Sequence, residues 1–232
     1  MRVLALRHHD EDHPGLIGEA LTELGFAMDV VLFREGRETP SLEGYDLLLV
    51  LGAKDAAYDP AVREAWFNRE LALFADADAR DIPIFGICFG AQGLCTYAGG
   101  SVARAPEPEI GWYEVTAAPG VAFEVGPWFE YHYDRCTLPE HAVLWAANER
   151  AVQAFAVGRH VGVQFHTEID EAQLRDWLEV DADDARDVGL DIDALLAHTA
   201  AIEGDARKRA RRLVRRVLQH NGLLAPEVNE AH

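Results

Sequence analysis

The chain has 232 residues, 49% of them hydrophobic and 26% charged, the balance of a folded globular protein rather than a disordered one. Forty acidic against 21 basic residues leave a net charge of −19, a surface that repels phosphate backbones and excludes nucleic-acid binding over a broad face. No apolar run reaches the roughly 20 residues of a membrane-spanning helix, and MRVLALRHHDEDH turns polar too early for a secretory signal, so a cytoplasmic location is expected.

Arg2–Arg7 (RVLALR) predicts a short strand. Pro14–Leu24 has helical apolar spacing with Gly25 as its stop signal. Ala27–Phe33, Tyr45–Leu51 and Ile82–Cys88 are apolar runs of strand length, and a helical segment over Pro60–Ala79 separates the last two. This βαββαβ rhythm, with continuously apolar strands, predicts an α/β fold: an open, mostly parallel sheet covered on both faces by helices. After Gly99-Gly100 the pattern changes. Gly111–Thr116, Ala142–Ala147, Val152–Val157 and His160–Phe165 read as strands separated by Pro and Gly, with no strong helix among them, which predicts an antiparallel or mixed extension of the sheet. Helical patterns return at Glu171–Val180 and Asp191–Gln219. With no linker and no internal repeat, a single domain is expected, its core in residues 1–170 and a helical segment in 171–222. The basic run Arg207–Arg216 carries Ala206, Ala210, Leu213, Val214, Val217 and Leu218 at three- and four-residue spacing. It reads as an amphipathic helix whose basic face is solvated or pairs with the acidic stretch Glu179–Asp193.

Three cysteines, Cys88, Cys95 and Cys136, have neither metal-ligand spacing nor a disulfide frame, which fits a reducing compartment. In FGICFGAQ (Phe85–Gln92) a cysteine stands where a buried strand turns into a helix, with Gly86 two residues before it and Gly90 two after. That is the frame of a nucleophile elbow, whose crowded turn needs glycine at both places. The elbow aims the amide of Phe89 at a developing oxyanion, and the new helix N-terminus favours a thiolate. Taken alone the motif leaves catalysis and a small buried hydrophobe about equally supported. Cys95, two helical turns on, reads as a core position. Among the ten histidines, His166 stands out: VGVQFHTEID puts it at the end of an apolar strand with Glu168 two residues later. If strand geometry persists, both point to one side, and the carboxylate holds the imidazole that serves the cysteine.

GICFGAQ followed by GVQFHTE resembles the class I, triad-type glutamine amidotransferases. EIGWYEV (Glu109–Val115), YHYDRCTLP (Tyr131–Pro139) and QAFAVG (Gln153–Gly158) further resemble the free-standing members related to the amidotransferase half of GMP synthetase. The resemblance runs from Arg2 to about Glu168. It implies a flavodoxin-like amidotransferase fold and an enzyme in which Cys88 attacks the side-chain amide of glutamine, His166 moves the protons and Glu168 holds His166. The oxyanion hole would combine Phe89 with a backbone amide at Gly52 or Ala53. Gln92, His132 and Tyr133 would contact the substrate. No cofactor or metal is implied, and the ammonia would pass to a separate synthetase or ligase. Two departures stand out. The loop after the third strand, usually rich in G-G-P, reads LGAKDAAYD (Leu51–Asp59), and Thr167 replaces the usual proline between His166 and Glu168.

RHHDEDH (Arg7–His13) gathers His8, His9 and His13 with three acids on the same rim as Cys88. A contiguous loop rarely presents a closed ligand set, so a solvated loop is expected before a partner-contacting rim, and either before a metal site. Trp112, Trp128, Phe129 and Tyr131 read as core or pocket-wall aromatics. Two other functions fit the same residues. A γ-glutamyl hydrolase or transferase would use the triad on a larger leaving group, admitted by the altered loop at Ala53–Asp59. A non-catalytic binding or regulatory module would keep the fold alone.

Overall fold

Continuously apolar strands are buried on both faces, and their period-two alternation decides which helix layer each side chain meets. In the computed structural model, which describes residues 1–180 and 182–225, β1 (Arg2–Arg7) sends Val3 and Ala5 to one layer and Leu4 and Leu6 to the other. β3 (Leu47–Val50) divides Leu47 and Leu49 from Leu48 and Val50 in the same way. The first layer is closed by α1 (Gly15–Glu23), through Ile17 and Leu21, and by α7 (Ile192–His220), through Leu213, Val214, Val217 and Leu218. The second is closed by α3 (Asn68–Ala79) and α4 (Phe89–Tyr97), through Leu73, Phe74, Phe89 and Leu94. Each such side chain contributes about 1.5–3 kcal/mol by leaving water.

The strand order is β2-β1-β3-β4-β9-β8-β7-β5-β6. β2 (Ala27–Leu32), β1, β3, β4 (Ile84–Ile87) and β9 (His160–Val163) run parallel. β8 (Val152–Val157), β7 (Val143–Ala147), β5 (Ser101–Ala117) and β6 (Gly126–Thr137) continue the sheet in antiparallel fashion. The α/β architecture read from the sequence is therefore present, with an antiparallel half as large as the parallel one. β6 is an addition. Its inward positions include Glu130, His132 and Asp134, all buried, so an apolar alternation never appears there.

The helix expected over Pro60–Ala79 is present but not uniform. α2 (Pro60–Val62), capped by Asp59 accepting from the Ala61 N–H at 2.8 Å, widens into a π turn over Arg63–Phe67 before α3 begins. The wide turn helps set Trp66, Phe67 and Glu70 together on the buried side. α5 (Glu171–Val180) and the short α6 (Asp183–Asp187) lead into α7. Arg207, Arg211 and Arg212 of the basic run on α7 pair with acids outside the stretch Glu179–Asp193. The apolar stripe of α7 packs on α1, which brings Arg207 to Glu19 and Arg211 to Glu23, while Arg212 reaches Glu124 at 2.6 Å and Arg207 also holds Glu203 on its own helix. Among the described residues no helix is long and apolar enough to cross a membrane.

β4 enters α4 through a turn at Cys88, whose φ of 50° and ψ of −104° lie where L-residues are strained. The two flanking glycines make that turn possible. A Cβ on Gly86 would stand 2.5 Å from the Gly90 carbonyl, and one on Gly90 would stand 2.3 Å from the Val50 oxygen of β3. Backbone meets backbone at both points, so no rotamer change relieves the clash. Gly90→Ala is expected to push α4 off β3 and destabilise the fold by about 1–3 kcal/mol, read as a lower urea midpoint at unchanged slope.

Candidate active site

Cys88 is held at its elbow by its own N–H, which donates to Val163 of β9 at 2.8 Å. Cys88 is 5% exposed, at the floor of a cleft above the carboxyl edge of the parallel strands. His166 arrives from the next strand, though not by continued strand geometry. β9 ends at Val163, and His166 forms an isolated bridge in which its N–H donates to Phe129 of β6 at 2.7 Å. A turn over Thr167 and Glu168 follows, and Nδ1 lies 2.7 Å from Glu168 Oε1. A carboxylate only accepts, so Nδ1 carries the proton and Nε2 is left to meet Cys88, which hydrogen-bonds the ring. Burial alone would pull the His166 pKa down. The charges of Glu168 and Cys88, with their hydrogen bonds, outweigh it and hold the imidazole well above its ordinary value. With Thr167 in place of the usual proline, the His166–Glu168 pairing is intact, although Thr167 lies in a turn rather than an extended segment. Glu168 is anchored in turn, its carbonyl accepting from the Leu16 N–H at 2.9 Å where α1 begins. Trp177 of α5 meets the His166 ring edge-on at 4.9 Å.

The cleft has a volume of about 230 Å³ and is walled by Gly52 and Ala53 on one side and by Gln92, His132 and Tyr133 on the other. Of the residues expected from the sequence, Cys88, His166, Gly52, Ala53, Gln92, His132 and Tyr133 line this one cleft, while Glu168 contacts it only through His166 and the Phe89 side chain is buried at the start of α4. Gln92 is tied down within the cleft, since its Nε2 donates to Gln164 Oε1 at 3.3 Å. Gln164 itself, unassigned from the sequence although it lies inside GVQFHTE, donates from Nε2 to Cys88 Sγ at 3.5 Å. The altered loop closes part of the opening: Tyr58 donates to Asp134 Oδ1 at 3.1 Å, joining it to β6. Arg104 lies 4.6 Å over the Tyr133 ring at the same rim.

Behind this wall His132 is buried between two carboxylates. Its Nε2 stands 3.1 Å from Glu130 and 3.3 Å from Glu109, and its Nδ1 donates to the Asp134 carbonyl at 2.9 Å. Burial opposes its charge, but Glu109 and Glu130 outweigh that and raise the pKa to about 10. Burial pushes Glu130 up to about 7 despite His132. Among the described residues these three are the group whose ligand atoms converge, within 4.8 Å. With His132 protonated, the three side chains form a buried ion cluster.

The RHHDEDH segment is not a solvated loop at its start. His8 is 1% and Asp12 7% exposed. His8 lies 2.7 Å from the Gly52 carbonyl through Nδ1 and 2.7 Å from Glu70 through Nε2. His9 accepts from the Lys54 N–H at 3.2 Å through Nε2, and its own N–H donates to Asp12 at 3.1 Å. His13 stays exposed. Glu70 was legible as a carboxylate on an apolar face, with Trp66, Phe67, Leu73, Phe74 and Ala77 around it at helical spacing.

With this geometry in place, comparison with known proteins identifies the family. Residues 15–178 match the family described as glutamine amidotransferase class-I. The chain belongs to that family. The crystal structure of a glutamine amidotransferase from Thermotoga maritima superposes with a TM-score of 0.85 at 29% identity, covering 94% of this chain and 98% of that one. A glutamine amidotransferase from Methylobacillus flagellatus shares the fold with a TM-score of 0.81 at 23% identity, over 100% and 98% of the two chains. In sequence, this class I glutamine amidotransferase is 29% identical over 164 residues to a glutamine-hydrolysing GMP synthase subunit of Thermoplasma volcanium, covering 66% of this chain and 77% of that protein. It is 27% identical over 165 residues to the GMP synthase of Helicobacter acinonychis, 68% of this chain but 31% of that much longer protein. Membership of the family carries action on the amide of glutamine.

Folded His132 holds its proton up to about pH 10, whereas the unfolded side chain loses it near 6.5. Its stabilisation is therefore complete below pH 6.5 and lost as pH rises through about 10. His132→Ala strands Glu109 and Glu130 without their cation. The expected penalty is about 3–5 kcal/mol at pH 8, falling at pH 5, where Glu130 of the variant takes up a proton. Urea unfolding at the two pH values measures the difference.

Proposed function

We propose that the chain is a cysteine-dependent glutaminase that delivers ammonia to a separate acceptor enzyme. One observation carries this reading: a buried imidazole, fixed by Glu168 at 2.7 Å, facing a thiol that the strand–turn–helix elbow lifts to the floor of the cleft. The Cys88 sulfur, with its proton on His166, attacks the glutamine amide carbon. The resulting oxyanion is met by the Phe89 amide at the open N-terminus of α4 and by an amide at Gly52–Ala53. His166 then gives its Nε2 proton to the departing nitrogen, ammonia leaves, and a γ-glutamyl thioester remains on Cys88. Water attacks the thioester as Nε2 takes its proton. Glutamate departs and the sulfur regains its negative charge beside the imidazolium. Gln92, His132 and Tyr133 line the position of the substrate's amino-acid end.

A cleft of about 230 Å³ is smaller than the roughly 300–1,000 Å³ of sites for larger ligands. Together with the Tyr58–Asp134 closure it supports free glutamine over a γ-glutamyl amine or peptide. The similarity to a GMP synthase that is divided into subunits supports an acceptor synthetase on another polypeptide, and the free thiols Cys88, Cys95 and Cys136 suit the cytoplasm. Purified protein should release glutamate from glutamine, with turnover raised by the acceptor enzyme. Cys88→Ala should lower turnover by about three orders of magnitude or more. Brief incubation with glutamine followed by acid quench and mass spectrometry should find the γ-glutamyl mass on the peptide containing Cys88. Equal glutamate release by the parent and Cys88→Ala would sink the proposal, and faster turnover of a γ-glutamyl alkylamide than of glutamine would reassign the substrate.

A further inference from the structure

The loop between β3 and α2 lacks the glycines and proline that usually stiffen it in this family, yet its first peptide lies directly against the triad. A Cβ placed on Gly52 would stand 3.0 Å from His166 Cε1 and 3.7 Å from Cys88 Cβ. The Gly52–Ala53 peptide is trans, so the Ala53 N–H points opposite to the Gly52 carbonyl. Whatever fixes that carbonyl fixes the direction of the amide. The carbonyl is held by His8: it can only accept, so His8 Nδ1 donates to it at 2.7 Å, and His8, unlike Gly52 and Ala53, does not line the cleft. His8 Nε2 is held at 2.7 Å by Glu70, a carboxylate with 0% exposure on α3. The imidazole is also wedged between Trp66 and Phe89, whose rings lie at 4.9 and 5.6 Å. A fully buried carboxylate–imidazole–carbonyl chain has no packing rationale, since an apolar side chain would fill the same space at lower desolvation cost.

We propose that Glu70 and His8 form a positioning clamp that aims the Ala53 N–H at the oxyanion, replacing the rigidity that the loop's own sequence lacks. This rests on the reading of Cys88 as the nucleophile. Glu70 accepts from Nε2 and fixes the ring's orientation, and its charge favours the doubly protonated imidazolium, the form in which Nδ1 can donate to the Gly52 carbonyl at the same time. Burial opposes charge on His8, but Glu70 and the Gly52 carbonyl outweigh it and raise its pKa. The imidazolium then polarises the Gly52–Ala53 peptide and makes its N–H a stronger donor. His9 adds a second hold one residue on, accepting from Lys54 N–H at 3.2 Å. The chain is thus a second, non-reacting acid–histidine pair whose target is a peptide bond.

The test compares a reaction that forms an oxyanion with one that does not. In His8→Ala and Glu70→Ala, kcat for glutamine hydrolysis should fall by about 10- to 100-fold, short of the ~10²–10³-fold for deleting an oxyanion donor outright, with KM within about twofold. Alkylation of Cys88 by iodoacetamide, a displacement at saturated carbon, should keep the parent rate. His8→Asn, whose amide nitrogen takes the place of Nδ1, should restore most of kcat. A kcat in His8→Ala within about twofold of the parent would overturn the clamp. So would a parallel loss of hydrolysis and alkylation, or failure of His8→Asn to recover more than His8→Ala. Failure of the nucleophile reading has its own signature, undiminished hydrolysis by Cys88→Ala.

Discussion

Everything at the site depends on how closely α4 can approach β3. The first turn of the helix rests on the Val50 carbonyl through a residue with no side chain, and Gly86 lets the strand before it fold back against the same turn. That contact sets the height of Cys88 above the sheet and the direction of the amides behind it. It also forces Cys88 to a positive φ, a conformation that the hydrogen bond to Val163 and the buried Phe89 ring hold in place. The strain sits in the backbone and is supported from the neighbouring strands, so the thiol is presented by rigid parts rather than by a loop.

The charge pattern inside the molecule differs from the one outside. A protein with a net charge of −19 places three buried histidines in or behind the walls of one cleft, and each has a carboxylate within 3.1 Å. Their roles divide by what the other ring nitrogen faces. His166 faces the sulfur, His8 a loop carbonyl, and His132 the backbone of its own strand through Nδ1. Buried ion pairs of this kind add little net stability because desolvation offsets their attraction. Under the proposed mechanism their retention is intelligible as preorganisation, with positive charge already in place where negative charge would develop.

The parallel half of the sheet was legible because its strands are apolar throughout and its helices obey ordinary spacing. The elbow was legible because steric crowding leaves only glycine at Gly86 and Gly90, and that requirement survives in any sequence that makes the turn. β6 was not, because Glu130, His132 and Asp134 occupy inward positions that a hydrophobic reading assigns to solvent. The same blindness hid His8. Nothing local distinguishes it from His9 or His13, since its partners Gly52 and Glu70 come from distant parts of the chain. α6 is too short to carry a period. For His8 the lost information was a polar group satisfied by distant ones, whereas the recovered information was local sterics and burial.

Cys88 and His166 follow the ends of adjacent parallel strands, β4 and β9, yet four strands of chain intervene between them. β9 is also interior, so it must insert beside β4 and β8 before His166 can meet Cys88. The loop-closure entropy of so non-local a pairing is met late in folding, after local helices and hairpins have formed. A nascent or partly unfolded chain therefore carries a thiol with no base beside it. On the proposed mechanism, the reactivity of Cys88 is thereby coupled to completion of the sheet.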